Sequence, residues 1–207
     1  MSHVTIRYHG HACFTLESNG YRTVLDPYAD GMVPGLPALS LEAEEVLCSH
    51  DHGDHAYTQA AMLNLSQAQA PYSLEILETF HDDQEGALRG RNRVHLLRFG
   101  DLRVAHLGDL GHIPDESVLQ KLQGADCLLI PVGGFYTIDP DTAFRILELT
   151  QPKVTVPMHY RTDSSGFDVL AHVSAFTEKF DQVHTCENSF TLTGEEPQQI
   201  LVIEYKP

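Results

Sequence analysis

The feature that most restricts the fold of this chain is a cluster of histidines and aspartates. Three histidines and two aspartates fall within residues 50–55, directly after the predicted apolar strand 45–48. Because side chains alternate along an extended backbone, His50 and His52 are expected to point the same way. The glycine that follows them lets the chain turn. The turn returns the last aspartate and histidine of the cluster to the same place.

This spacing favours a metal site. Asp51 and Asp54 repel each other, so holding them together is costly unless a cation lies between them. Imidazole and carboxylate together suit Zn, Fe, Mn or Ni better than Ca or Mg. The alternative is a solvated loop that is merely rich in histidine.

The charge of the chain excludes several classes of partner. Its 207 residues include 29 Asp and Glu but only 13 Lys and Arg, a net charge of −16, together with 13 His. An acidic surface repels phosphate backbones, so neither nucleic acid nor an anionic membrane is an expected partner. The hydrophobic content of 42% predicts a globular protein.

The chain gives no sign of export or membrane insertion. No apolar run approaches the roughly 20 residues that span a bilayer, and the N-terminal residues lack an apolar signal core. We therefore expect a cytoplasmic protein. The four cysteines form no Cys-x-x-Cys pair, which disfavours a thiolate metal site.

Short β-branched and alternating segments predict strands along most of the chain. The predicted strands cover residues 4–8, 13–17, 21–25, 45–48, 74–80, 94–98, 102–106, 127–132, 153–158, 183–185, 190–193 and 200–205. Ser18-Asn19-Gly20 predicts a hairpin turn, and residues 27–40 predict a loop.

Helices are predicted over residues 56–70, 114–123, from Asp139-Pro140 onward, and over residues 167–180. Strand-rich segments followed by strand–helix alternation indicate a layered α/β fold.

Five motifs together resemble the metallo-β-lactamase superfamily. They are His50-x-His52-x-Asp54-His55, His9-Gly10-His11-Ala12-Cys13-Phe14, Leu25-Asp26-Pro27, His106-Leu107-Gly108-Asp109, and Pro131-Val132-Gly133-Gly134 followed by Val156-Pro157-Met158-His159-Tyr160. The second motif is similar to that of the branch with ascorbate-6-phosphate lactonase and N-acyl-phosphatidylethanolamine phospholipase D, although Ala12 stands where serine is common. The resemblance implies one domain over residues 1–207, a four-layer αββα sandwich with ligands at one sheet edge.

The resemblance also implies a binuclear ligand set. The implied ligands are His50, His52 and His81 for the first ion, Asp54, His55 and His159 for the second, and Asp109 as the bridging carboxylate. His95 competes with His81 but lies inside a predicted strand. Each assignment has a plainer alternative: a turn residue for Asp109, a core histidine for His159, and a surface loop for His81.

Other polar residues are weaker candidates for supporting or substrate-binding roles. They are Asp26, His11, His106, His112, Tyr136, Arg89 and Arg91. Asp26 ends a strand near the cluster and could fix the tautomer of a ligand histidine. The segment Arg89-Gly90-Arg91-Asn92 is a basic patch that either docks a phosphate or carboxylate or simply lies on the surface.

The resemblance implies a hydrolase with two divalent metal ions, Zn first and Mn, Fe or Ni as alternatives. A shared, metal-bridging hydroxide would cleave a small-molecule ester, lactone, amide or phosphodiester, with Asp54 and Asp109 as the catalytic carboxylates. The alternatives are a phosphodiesterase similar to phospholipase D acting on a lipid-derived substrate, an iron oxidoreductase, and a non-catalytic metal-binding or oligomerisation module. A homo-oligomer fits any of these.

Overall fold

A computed structural model describes residues 3–64 and 69–206. Its strands are β1 (Val4–Tyr8), β2 (Phe14–Ser18), β3 (Tyr21–Leu25), β4 (Leu41–Ala43), β5 (Glu45–Leu47), β6 (Ala61–Leu63), β7 (Ser73–Phe80), β8 (Arg91–Phe99), β9 (Leu102–His106), β10 (Cys127–Pro131), β11 (Val154–Met158), β12 (His184–Glu187), β13 (Ser189–Leu192) and β14 (Gln199–Glu204). The helices are α1 (Glu116–Leu122), α2 (Pro140–Thr150) and α3 (Ser174–Thr177).

Five strands form the first sheet, in the order β13-β1-β2-β3-β5. The hairpin between β2 and β3 turns at Asn19 and Gly20, whose φ angles are +53° and +77°. Asparagine and glycine tolerate such angles, which match the twist of the paired strands. The next connection leads to β5, which pairs with β3 in parallel, so the chain leaves both strands at the same edge.

Seven strands form the second sheet, in the order β12-β14-β11-β10-β9-β8-β7. The strands β7, β8 and β9 are antiparallel neighbours, whereas β9, β10, β11 and β14 run parallel. The carboxyl ends of β9, β10 and β11 therefore meet at one edge of the sheet.

The two sheets pack face to face over the main core, which includes Phe14, Leu16, Leu97 and Val156. The three helices cover the other face of the seven-stranded sheet. Both longer helices begin at an aspartate cap: Asp115 accepts a hydrogen bond from the backbone of Val118, and Asp139 from that of Thr142. These layers confirm the predicted α/β sandwich.

The outer face of the five-stranded sheet carries a smaller apolar cluster. Cys13 and Val24 on the sheet contact Tyr28 and Val33 from the loop that follows β3. The short parallel pair β4–β6 completes this layer. Among the described residues, no helix is long and apolar enough to cross a membrane.

The helix predicted over residues 56–70 is wrong where the structure describes it. A single 3-10 turn, Thr58–Ala60, leads into β6, and residues 65–68 lie outside the described part of the chain. Tyr57 offers no side-chain cap to a helix. Pairing with β4 supplies the hydrogen bonds that the predicted helix would have made internally.

The helix predicted over residues 167–180 is also largely wrong, because only Ser174–Thr177 is α-helical. Tertiary hydrogen bonds take the backbone of the segment before it. Ala171 donates to the carbonyl of Gly133 and accepts from the backbone of Arg161. Phe167 packs beside the cluster under the five-stranded sheet instead of facing the helical layer.

Candidate metal centre

The candidate site lies at the edge where strands of both sheets end. The loop after β5 carries the cluster at residues 50–55, and β7, β9 and β11 are followed by His81, Asp109 and His159. The loop after β1 adds His11 from the first sheet. β1 runs in the same direction as β3 and β5, and β7 in the same direction as β9 and β11, since each is separated from its sheet's parallel strands by one antiparallel strand. The carboxyl ends of all these strands therefore meet at one edge.

One group of donors consists of His50, His52 and His81. One ligand atom from each lies within 4.8 Å of the others. His50 and His81 are buried, while His52 is exposed at the mouth of the site. His95, the competitor of His81, lies opposite His106 in the register of β8 and β9 and is not part of the group.

A second group consists of His11, Asp54, His55 and His159, again with ligand atoms within 4.8 Å of one another. His11 was expected only to line the pocket, and the structure brings it among the donors. Its Nε2 lies 3.2 Å from Oδ2 of Asp54, and its ring centroid lies 4.1 Å from that of His159.

Asp109 lies between the two groups and is buried. Its Oδ2 is 3.2 Å from Nε2 of His81 and 3.3 Å from Nε2 of His159, and its Oδ1 is 3.2 Å from Nε2 of His55. The carboxylate faces both groups at once, as a bridging ligand must.

Several of these buried donor atoms make no hydrogen bond of suitable geometry among the described residues, even though Asp109 lies close to two of the histidines. They include Nε2 of His50, His55 and His159 and Oδ1 of Asp109. A buried polar atom without a partner costs about 1–3 kcal/mol. Four such atoms converging on one place fit a cation, which would satisfy them together.

The titration of the cluster agrees with this chemistry. Burial lowers the pKa of His50 to about 3, and the neighbouring His55 adds to the shift, so His50 keeps a free lone pair at neutral pH. Burial alone would raise the pKa of Asp109, but His159 and His55 outweigh it and hold the pKa well below its usual range. His50 is therefore a neutral imidazole and Asp109 an ionised carboxylate. Burial alone would lower the pKa of His55, but Asp109 and Asp26 outweigh it and raise this pKa well above its usual value, so a cation must displace a proton from that ring.

Asp26, the predicted supporting carboxylate, is fully buried at the end of β3. Its Oδ2 accepts a hydrogen bond from Nδ1 of His55 at 2.8 Å and one from the hydroxyl of Ser49 at 2.5 Å. The backbone N–H of Ser49 donates to Oδ1 at 2.7 Å. This carboxylate thus connects the first sheet to the cluster.

Ser49 was missed by the sequence analysis. Its single hydroxyl proton goes to Asp26, so its oxygen must accept from Nδ1 of His50, 2.9 Å away. His50 and His55 therefore both carry a proton on Nδ1, and each Nε2 is the ring atom that faces the candidate cation site. The only signal in the sequence was the position of Ser49 directly before the cluster.

Asn92 was also missed as a supporting residue. Its Oδ1 accepts from the backbone N–H of Asp109 at 2.9 Å, and its Nδ2 donates to the carbonyl of Leu107 at 2.9 Å. Gly108 passes close by with a φ of +54°, and a Cβ there would lie 2.4 Å from Oδ1 of Asn92. Asparagine and glycine together fix the backbone that presents Asp109.

Two predicted residues lie outside both donor groups. His106 donates from Nε2 to the carbonyl of Ala12 at 2.9 Å, because its Nδ1 accepts from Gly108; it connects the sheets. His112 accepts from the backbone of Phe80 at 3.2 Å and contacts the ring of that residue.

The remaining candidates surround the mouth of the site. The Tyr136 ring lies 6.0 Å from that of Phe167, and the guanidinium carbon of Arg89 lies 5.6 Å from the centre of the same tyrosine ring. Arg91 lines a cavity with His50 and His52.

A two-sheet sandwich with a histidine–aspartate cluster at one edge defines the class of metallo-β-lactamase-fold proteins. The sequence matches the family described as the Beta-lactamase superfamily domain over residues 5–159. Because that match covers most of the chain, the protein belongs to this family.

Individual proteins similar to this chain support the family assignment. A protein from Carboxydothermus hydrogenoformans, named a UPF0173 metal-dependent hydrolase, is 28% identical over 191 residues, 76% of this chain and 84% of the relative. A UPF0173 protein from Pyrococcus furiosus is 31% identical over 182 residues, 76% of this chain and 83% of its own. A crystal structure from Thermotoga maritima, of a suggested Zn-dependent hydrolase of the metallo-β-lactamase superfamily, is 31% identical with a TM-score of 0.75, covering 98% of this chain and 100% of that one.

Proposed function

We propose that the protein is a metal-dependent hydrolase that holds two divalent cations at this sheet edge. The proposed ligands are His50, His52 and His81 for one cation, Asp54, His55 and His159 for the other, and Asp109 for both. The observation that carries the proposal is the convergence of buried, unpartnered donor atoms on the space around Asp109.

The donor set favours zinc. Imidazole nitrogens outnumber carboxylates, and both are ligands that Zn accepts readily, with Mn, Fe and Ni as the alternatives. Asp54 and Asp109 balance only part of the positive charge of two divalent cations. The loaded centre would therefore attract an anionic or strongly polarised oxygen.

Divalent cations in such a site lower the pKa of bound water toward neutrality and polarise a carbonyl or phosphoryl oxygen. The chain's own groups prepare the site for this chemistry. Ser49 and Asp26 accept hydrogen bonds from Nδ1 of His50 and His55, which directs Nε2 of each ring toward the proposed cations. Asp109 stays ionised because its histidine neighbours hold its pKa low.

Asp54 is the proposed residue for handling the proton of an attacking water. Its side chain is 20% exposed, so water reaches it, whereas Asp109 is buried. Burial opposes ionisation, but the hydrogen bond from His11 and the nearby imidazole of His55 together outweigh it and lower the pKa of Asp54. The ionised carboxylate accepts a hydrogen bond from the entering water and orients it.

We infer that the substrate is a small molecule with an ester, lactone, amide or phosphodiester bond. The cavity of about 390 Å³ beside His11 and the one of about 300 Å³ beside His50 and His52 are at the small end of ligand pockets. The net charge of −16 disfavours a nucleic acid.

Metal content measured on the purified protein tests the proposal. The protein is stripped with a chelator, reloaded separately with Zn, Mn and Fe, and examined by elemental analysis. We expect close to two ions per chain, and fewer in His50→Ala and Asp109→Ala. His184→Ala, which changes an exposed histidine on β12, is the matched control and should keep two.

The same preparations are assayed on a panel of ester, lactone, amide and phosphodiester substrates. Hydrolysis that is lost on stripping and restored on reloading supports the proposal. One ion or none per chain after reloading contradicts the binuclear assignment, and undiminished turnover by metal-free protein contradicts metal-dependent hydrolysis.

A further inference from the structure

Three arginines meet beside the first donor group. Arg89, Arg91 and Arg93 line a cavity of about 300 Å³ whose opposite wall is the segment 49–52, which includes His50 and His52. The whole chain has only 13 Lys and Arg against 29 Asp and Glu. This cluster of positive side chains therefore stands out against the net negative charge of the molecule.

These cations are poorly neutralised by the protein. Among the described residues Arg89 and Arg91 form no ion pair, and Arg93 approaches Glu78 only at 3.9 Å, with both side chains about half exposed. Asp51 is the one carboxylate in the cavity wall. Three guanidinium groups near two carboxylates, Asp51 and the more distant Glu78, leave a surplus of positive charge next to the candidate centre.

The loop that carries Arg89 is tightly organised. The buried carboxylate of Asp82 accepts four backbone hydrogen bonds, from Gln84 and Gly86 at 2.8 Å, Leu88 at 3.0 Å and Arg89 at 2.7 Å. The loop begins at His81, whose N–H donates to the carbonyl of Gly90 at 3.1 Å. Arg89 and the start of β8 at Arg91 are thus held in a fixed position relative to His81.

Tyr136 holds the guanidinium of Arg89 from the other side of the mouth. The 5.6 Å distance from the guanidinium carbon to the ring centre is a cation–π contact. Arg89 is half-buried, while Arg91 and Arg93 are exposed. The contact keeps the group near the opening, where a ligand entering the centre would meet it.

We propose that Arg89 and Arg91, with Arg93 behind them, form a subsite for an anionic group of the substrate. The group is a carboxylate or a phosphate, both of which match the planar, bidentate fork of a guanidinium. The substrate is then an anion whose charged group lies close to the bond that is cleaved. This inference rests on the proposed function, because it names the substrate class of the same site.

Calorimetric titration with inorganic phosphate and with succinate tests the subsite. Both probes are added to Zn-loaded, dialysed protein and to metal-free protein. We expect at least one probe to bind in both forms, and the double variant Arg89→Gln/Arg91→Gln to weaken that binding at least tenfold in both. The two probes distinguish a phosphate-preferring from a carboxylate-preferring subsite.

Two further variants make the test specific. Arg98→Gln removes one positive charge from the far end of β8, roughly 23 Å away, where Arg98 faces Glu75; binding should not change. Asp51→Asn removes the opposing carboxylate and should strengthen binding severalfold. Circular dichroism and thermal unfolding verify that each variant is folded.

The inference is overturned if neither probe binds the wild-type protein, or if the double variant binds as tightly as the wild type. The proposed function fails separately, through the metal content and the hydrolysis assay. If the protein does not bind two metal ions but the double variant still weakens anion binding, the subsite is supported and the hydrolase proposal fails. If the protein binds two metal ions and hydrolyses a substrate, but the double variant binds anions as the wild type does, the proposed function is supported and the subsite is not.

Discussion

At the residue scale, the protonation of the candidate ligands is decided by side chains that never face the centre. The hydroxyl of Ser49 donates to Asp26 and accepts from His50, and Asp26 also accepts from His55. One buried carboxylate therefore sets the tautomer of two histidines from different positions in the cluster.

The sequence indicates the ligand candidates but not these partners. The histidines and aspartates of residues 50–55 are visible because they are close together in the chain. Ser49 and Asn92 acquire their roles from residues far along the chain, Asp26 and Asp109. A hydrogen bond between residues far apart in the chain forms only in the folded protein, so no local sequence pattern predicts it.

Replacing Ser49→Ala removes the acceptor of Nδ1 of His50 without removing a ligand. The imidazole then loses its fixed tautomer and orientation, and we expect the Zn affinity to fall roughly 10–100-fold. Competition with a chromophoric chelator measures the affinity. Ser73→Ala, at the exposed beginning of β7, is the control and should bind Zn as the wild type does; an unchanged affinity in Ser49→Ala would refute this role.

At the scale of elements, the sequence predicts the strands of the two large sheets but misses the short pair β4–β6, and two of the predicted helices are wrong. Alternating or continuous apolar runs locate the strands because each strand packs against a core on at least one face. The segment 167–180 has an apolar pattern typical of a helix, yet Ala171 bonds to Gly133 and Phe167 packs toward the site. Tertiary hydrogen bonds and packing overrode a pattern that the local sequence shares with helices.

The loop from Asp82 to Gly90 is an element that one carboxylate holds in place. Burial alone would raise the pKa of Asp82, but the four backbone N–H groups outweigh it and lower the pKa. The loop connects His81 to the first arginine of β8. Its rigidity therefore matters to both the candidate ligand and the proposed anion subsite.

Asp82→Asn leaves one acceptor oxygen where two were used, so some of the four backbone N–H groups lose their partner. We expect a loss of about 1–3 kcal/mol in the free energy of unfolding. Hydrogen exchange of the amides at residues 84, 86, 88 and 89 should become faster. Asp83→Asn, which changes the exposed neighbouring aspartate, is the control. Equal exchange rates in the two variants would show that Asp82 does not organise the loop.

At the scale of the whole molecule, the two sheets meet over a core that contains ionisable groups. The fold class follows from the order of strands and helices and from the motifs at strand ends, and the structure confirms it. The sequence places His95 inside a predicted strand, and the structure buries it between the two sheets. Leu97 and Phe99 of the same strand belong to the core between the sheets, and alternation along β8 places His95 on that face.

His95 makes the stability of the molecule depend on pH. Burial lowers its pKa to about 4, whereas an unfolded histidine titrates near 6.5. Above pH 6.5 both states are neutral and the group contributes no pH dependence. As the pH falls from 6.5 to 4 the unfolded state takes up the proton first, so the folded state loses stability by at most about 1.4 kcal/mol per pH unit.

Urea unfolding of metal-free protein at pH 7, 6 and 5 measures this effect. We expect the free energy of unfolding of His95→Leu to fall less than that of the wild type between pH 7 and pH 5, because leucine has no group that takes up a proton in the unfolded state. His184→Leu, on exposed β12, should keep the wild-type slope. Since the other buried histidines are the same in both variants, a difference in slope between them belongs to His95, and parallel slopes would place the acid sensitivity of the molecule elsewhere in the core.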